Sequence, residues 1–313
     1  MSDKKIVLFV GGVGGAKLAL GLQQVVTPEN LTIIVNTGDD FWHYGLRVCP
    51  DIDTVLYTLS GRVDPVNGWG LSNDSTIMLE TLRSLGEETW FTLRDKDLAT
   101  HLLRTKMLRE GYSLTDVVKH LAQVQGVHPT VLPMTDAEVP TSVDTVEYGE
   151  LEFQEYFVRY RWQPVVKSLR FKNIENAGLS SEVRHAIASS DIIVFGPSNP
   201  WLSIAPILAV PEMRSQILAQ AVPRVAVTPI IEGKAVKGPA AKLMGELGYE
   251  VSASAVAAYY GDILTGFVYD ERDKDFESYG LNNIPFNTMM ITDEDKARLA
   301  RDILLWIQKG VAA

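Results

Sequence analysis

The sequence predicts an α/β protein, a Rossmann-like parallel-sheet core carrying a smaller inserted α+β subdomain. Three observations predict it. The apolar, β-branched run Ile6–Val10 leads directly into Gly11-Gly12-Val13-Gly14-Gly15-Ala16-Lys17, the order strand, glycine turn, helix. A second run, Leu31–Val35, leads into an acidic turn, Asn36-Thr37-Gly38-Asp39-Asp40. After a middle stretch rich in Tyr, Phe, Trp and Val, strands and helices alternate again from residue 180 onward. One sheet interrupted by an insertion gives this pattern. The expected division is a nucleotide-binding core, residues 1–129 and 174–313, and a small β-rich insertion, residues 130–173.

The elements follow in order. A helix is expected over residues 54–59, capped by Asp53 or Thr54. Residues 64–70, Asp-Pro-Val-Asn-Gly-Trp-Gly, read as a loop. Between 76 and 120, apolar residues recur at three- and four-residue spacing, as in amphipathic helices. In the insertion, residues 142–148 and 151–161 read as a hairpin around Gly149-Glu150. Residues 180–190 form a helix before the buried strand Ile192–Phe195, which ends in Gly196-Pro197-Ser198-Asn199-Pro200. A helix at 211–220, a strand at 224–228, a helix at 240–247 and a strand at 267–270 follow. Residues 289–291 are expected as the last strand and Asp293–Gln308 as the closing amphipathic helix.

Bulk properties narrow the function. The 313 residues are 46% hydrophobic and carry a net charge of −10, which argues against a nucleic-acid-binding surface. An anionic substrate would then need local help from a helix N-terminus, a few Lys or Arg, or a divalent cation. The single cysteine, Cys49, excludes an intrachain disulfide and fits a reducing compartment. No apolar run approaches membrane-spanning length, and residues 1–5 carry no signal-peptide pattern, so a cytoplasmic protein is expected.

Four places are suited to chemistry. Gly11, Gly12, Gly14 and Gly15 allow close backbone approach and leave N–H groups free for phosphate, with Lys17 one turn on. The loop is not a Walker A sequence, because Leu18 stands where Ser or Thr would meet magnesium. Asp39, Asp40, Asp51 and Asp53 can bring carboxylates to one crevice, as ligands for magnesium or as a general base; capping and solvated positions are the plain alternative. Ser198 and Asn199 are placed for a base or ribose, or for a purely structural Asn-Pro turn. Lys234 and Lys237 lie in a Gly-rich loop before a helix, a second phosphate cradle or a solvated turn. His43, His101, His120, His128 and His185 show no metal-ligand spacing, and there is no Gly-x-Ser-x-Gly motif.

At these residues the chain closely resembles the 2-phospho-L-lactate transferase family of deazaflavin coenzyme factor-420 biosynthesis. The matching stretches are residues 11–22, 35–58, 68–73, 95–109, 196–206 and 229–244. The run 36–54, Asn-Thr-Gly-Asp-Asp-Phe-Trp-His-Tyr-Gly-Leu-Arg-Val-Cys-Pro-Asp-Ile-Asp-Thr, is the most specific. Where the family often carries Gly-Asp-Arg-Asp, this chain has Arg94-Asp95-Lys96-Asp97, and lysine does not copy a bidentate arginine. The resemblance implies a magnesium-dependent homodimer. Such an enzyme binds Fo, a deazariboflavin, beside a guanosine-diphosphate-activated phospho-acid (phospholactate, phosphoenolpyruvate or phosphoglycerate), and GMP leaves. On that reading Asp39, Asp51 and Asp53 hold magnesium or orient the ribityl hydroxyl. Gly11–Lys17, Ser198, Asn199, Lys234 and Lys237 hold the nucleotide and its phosphates. Asp53, Trp42, His43, Trp69 and Lys96 face Fo. A related branch of the fold, non-catalytic nucleotide-sugar-binding regulators, carries Asp-Asp-Gly-Gly-Ser-Ser-Gly at the second acidic turn and is the alternative.

Overall fold

Every residue of Ile6–Val10 (β1) is buried, as expected of a parallel strand covered on both faces. In the computed structural model, which describes residues 3–310, the further strands are Leu31–Val35 (β2), Phe41–His43 (β3), Leu46–Val48 (β4) and Thr130–Pro133 (β5). Then come Thr141–Thr145 (β6), Gly149–Glu152 (β7), Val166–Phe171 (β8), Ile192–Phe195 (β9) and Arg224–Val227 (β10). Ile230–Ile231 (β11), Lys234–Ala235 (β12), Gly266–Asp270 (β13) and Asn282–Phe286 (β14) complete them. Seven form one sheet in the order β14-β13-β10-β9-β1-β2-β5, with every neighbouring pair parallel. The predicted α/β, Rossmann-like class is therefore the observed one.

The helices that matter for the site are Gly12–Val25 (α1), Pro50–Leu59 (α2), Ile77–Ser84 (α3) and Asp95–Arg109 (α4). One core joins α1, α2, residues 114–122 and the closing helix Asp293–Gln308 to one sheet face. A second core packs residues 183–217, 240–264 and the insertion on the other face. β1 sits between β2, which follows it in sequence, and β9, which comes from the far half. The strand order reverses there, so the loops after β1, β2 and β9 open into one crevice at the carboxyl ends of the strands.

Four expectations need correction. Thr130–Pro133 does not open the insertion: it pairs with β2 as the edge of the main sheet. The separate unit is the antiparallel sheet β7-β6-β8. Its hairpin turns at 146–148, with Thr145 opposite Gly149, and the expected second strand stops at Glu152. The chain then bends into a π-helical turn, Glu155–Arg159, and Phe153 and Gln154 just before it line the crevice. Helix α2 starts at Pro50, not at 54, since proline at the first helical position has its φ already set. Asp51 and Asp53 are thus first-turn residues rather than caps. Residues 289–291 are not a strand. The last strand, β14, is an edge strand that contains Pro285, as edges allow. Beyond it Thr288 is drawn off the ladder by Asp270, whose Oδ2 accepts from the Thr288 N–H (2.9 Å) and hydroxyl (2.8 Å).

Candidate active site

The loops after β1, β2 and β9, with the start of α2, the middle of α4, the insertion and residues 228–240 and 288–291, enclose a cavity of about 550 Å³. The glycine loop forms one wall. Gly12 has φ +64°, a left-handed backbone that glycine adopts without strain. At Gly11 the need is room: a Cβ would lie 2.5 Å from Asp51 Oδ2 and 2.6 Å from Ser203 Cβ. Gly15 instead fits α1 against the sheet, where a Cβ would meet Val10 and Ser198, and it does not line the cavity. The N-cap Gly11 has no side chain to cap α1, and of the first N–H groups that of Gly12 reaches the Asp51 carboxylate.

Ser198 and Asn199 reach the cavity, but their oxygens already have work. Ser198 Oγ accepts from Gly11 N (3.0 Å) and donates to Gly11 O (2.7 Å), holding the glycine loop in place. Asn199 Oδ1 caps the following turn by accepting from Trp201 N (3.0 Å) and Leu202 N (3.2 Å). Lys17 Nζ donates to the Met290 carbonyl (2.8 Å), and Lys237 Nζ to that of Asn67. Burial depresses both ammonium pKa values, Lys17 through Lys296 as well and Lys237 through Lys17. Two cations therefore share one neighbourhood of a cavity that is otherwise acidic.

The carboxylates divide into two groups. Asp39 and Asp51 are joined by one amide: Asn36 Nδ2 donates to Asp39 Oδ1 (3.1 Å) and to Asp51 Oδ2 (2.9 Å). No cation is among the groups that act on either. Burial, then repulsion from Asp51, pushes the Asp39 carboxyl well above its ordinary range. Burial lifts Asp51 to about 6, against the hydrogen bonds from Asn36 and the Gly12 backbone. Gln154 Nε2, from the insertion, donates to the Asp39 carbonyl (3.0 Å) and fixes that turn from the other side.

Asp53 belongs to the second group. Its Oδ1 pairs with the fully buried Arg104 of α4. Its Oδ2 lies 3.6 Å from His101 Nδ1, while His101 Nε2 lies 3.4 Å from Asp97 Oδ2. Tyr57 completes the group by donating to Asp97 Oδ1 (2.6 Å). Burial raises the Asp53 pKa, opposed first by Arg104 and then by His101. One ligand atom each from Asp53, Asp97 and His101 falls within 4.8 Å of the others. The two carboxylates, however, face different ring nitrogens, and Arg104 Nη1 is 3.2 Å from Nδ1. This is an internally compensated network, whereas Asp39 and Asp51 form the donor set that suits a hard divalent cation.

Asp39, Asp51, Asp53, Gly11, Gly12, Gly14, Lys17, Trp69, Ser198, Asn199 and Lys237 all line the cavity. Trp42, His43, Lys96 and Lys234 do not. Trp42 is 44% exposed, with its indole N–H on Glu138. His43 packs among Tyr44, Trp90 and Phe91. These two are strand neighbours and point to opposite sides. Lys96 Nζ donates to the carbonyls of Asn73 (2.6 Å) and Ser72 (3.2 Å), and Lys234 is exposed on β12. Sequence reasoning passed over Asn36, Tyr57, Asp97, His101, Arg104 and the apolar wall of Phe91, Phe153 and Phe157. The spacing of Asp97, His101 and Arg104, four and then three residues, marks one helix face and was the readable sign.

Comparison with known proteins gives the family. A profile described as 2-phospho-L-lactate transferase CofD matches residues 6–300. The 2-phospho-L-lactate transferase of Methanosarcina mazei is 39% identical over 303 residues, covering 96% of this chain and 99% of its own. The phosphoenolpyruvate transferase of Mycobacterium ulcerans is 38% identical over 320 residues, with 95% and 97% covered. Among solved structures, a UPF0052 family member from Bacillus halodurans superposes with TM-score 0.63 at 18% identity, over 96% of this chain and 100% of its own, a likeness of fold. Among the described residues no helix is long and apolar enough to cross a membrane. With a full-length match and relatives near 40% identity, this chain belongs to the 2-phospho-L-lactate transferase family and is a transferase.

Proposed function

We propose that the protein transfers a phospho-acid from its guanosine-diphosphate-activated form to the ribityl hydroxyl of Fo, with magnesium, releasing GMP. The observation that carries this is the make-up of this cavity. It joins helix N-terminal N–H groups and two lysines for a diphosphate, a pair of uncompensated carboxylates for a metal, and an apolar wall of Phe91, Phe153 and Phe157 for a flat ring system. Magnesium fits Asp39 and Asp51, the first half-buried and the second buried, joined through Asn36 and without a cation among the groups that act on them. Asp53 is left out of that set because Arg104 holds its Oδ1.

Bound there, magnesium supplies the positive charge that neutralises diphosphate oxygens near the reacting phosphorus. The chain's residues do the rest. The backbone N–H groups of Val13 and Gly14, with Lys17 and Lys237, hold the diphosphate. Ser198 and Asn199 keep the surrounding loops in shape. Asp53 Oδ2, buried and without a hydrogen-bond partner, accepts the ribityl hydroxyl's hydrogen bond and orients it for in-line attack. The hydroxyl oxygen bonds to the phosphorus that bears the acid. The bond from that phosphorus to the bridging oxygen breaks, and GMP leaves with that oxygen. The hydroxyl proton passes to Asp53 and on to solvent.

The test mixes purified protein, Fo, magnesium and each of the three activated acids, and reads GMP and the Fo adduct by chromatography. One GMP per adduct, abolished by a chelator, is the expected result. Absence of GMP with all three acids overturns the proposal.

A further inference from the structure

Asn36 has no assigned role, yet its side chain is the most fully committed group in the crevice. The residue is completely buried. Its Oδ1 accepts from Gly38 N at 2.8 Å. Its Nδ2 donates to Asp39 Oδ1 and Asp51 Oδ2, with a longer contact of 3.4 Å to the Leu202 carbonyl. The orientation of this amide is therefore fixed from both ends. Flipped, it would place an oxygen against two carboxylates and an N–H₂ group against the Gly38 donor.

A half-buried and a buried carboxylate that share a neighbourhood repel, and without a cation they would turn apart. Asn36 is what keeps them side by side. It spends one oxygen of each carboxylate, and at Asp51 the Gly12 N–H adds a second hold. The amide is neutral, so it holds the pair together without cancelling the negative charge that attracts a cation. Arg104, by contrast, cancels it at Asp53.

We propose that Asn36 is a positioning residue that presets Asp39 and Asp51 as a two-carboxylate seat for a divalent cation. This rests on the reading that those two carboxylates hold the metal. Partners that orient metal ligands commonly change metal affinity by about 10- to 100-fold.

The test titrates the full-length protein with Mn²⁺ alone and reads free Mn²⁺ by electron paramagnetic resonance. Asn36→Ala is expected to bind Mn²⁺ about 10- to 100-fold more weakly than the unchanged protein. Asn36→Ser, which keeps a single donor hydrogen, should fall between. A purely structural role lowers the melting temperature of Asn36→Ala but leaves the Mn²⁺ affinity of the folded protein unchanged, and that result overturns the proposal. Should Asn36→Ala fail to fold, Asn36→Ser decides: weakening by about threefold or more supports the role, and undiminished affinity overturns it. Loss of the underlying reading looks different. In that case the unchanged protein shows no saturable Mn²⁺ binding, or Asp51→Asn binds as well as it does, and the proposal falls with it.

Discussion

Asp51 and Asp53 stand two residues apart on the first turn of one helix, and their surroundings are opposite. Asp51 meets an amide, a glycine N–H and another carboxylate, so burial dominates and its pKa climbs to about 6. Asp53 meets a buried guanidinium and an imidazole, which oppose the effect of burial. A charge that the fold neutralises is held in place; a charge that it leaves uncompensated is open to a cation. The difference arises from α4, which brings Arg104 and His101 to one carboxylate only.

Removing the compensation should have the largest effect. Arg104→Met leaves Asp53 buried with only the His101 imidazole beside it, with an expected loss of about 3–5 kcal/mol in urea unfolding. Adding Asp53→Asn should recover part of it. A loss below about 1 kcal/mol would erase the distinction between the two carboxylates. On the other side, Asp51→Asn should lower GMP release at least about 100-fold, near 2.7 kcal/mol, without loss of folding stability. Activity above about a tenth of the original would count against the metal seat.

The pH dependence sharpens the contrast. The Asp51 carboxyl in the fold titrates above its unfolded value, so the fold prefers it protonated. Its stabilising contribution is full below about pH 4 and fades as pH rises through about 6. In a chelator, stability should therefore decline between these limits by about 2–4 kcal/mol from this group. Magnesium should flatten the decline, and Asp51→Asn should remove its share. An identical slope in that variant would refute the assignment.

Away from the charges, Phe157→Ala on the apolar wall should raise the KM for Fo about 10-fold with kcat nearly unchanged. Trp42→Ala, exposed and off the cavity, should alter KM less than about twofold. A larger change would return Trp42 to the Fo-binding wall.

What the sequence disclosed follows from how local each requirement is. The glycine loop and the acidic turn announce themselves because backbone approach at Gly11 and left-handed φ at Gly12 leave few residue choices. Ser198 was singled out, but its task, binding both polar groups of Gly11, is a contact across 187 positions. Trp42 and His43 were attractive as aromatics near acids. Their alternation on β3, and the aromatic neighbours of His43, are properties of the hairpin's packing. Residues 130–133 looked like the insertion because an edge strand of the main sheet and a strand of a small one share a composition. Asn36 lay inside the most specific motif and drew no attention, since an amide beside carboxylates shows its purpose only once they are placed around it.

The bond between Ser198 and Gly11 also fixes when the site can exist. At ordinary rates of protein synthesis, 187 residues separate the emergence of the two by roughly ten to forty seconds. Until then β1 can pair with β2 but not with β9, so the nascent chain carries the glycine motif without the hydroxyl that shapes it. The shape of the glycine loop is therefore a property of the closed sheet and arrives late, after the far half of the protein has been made.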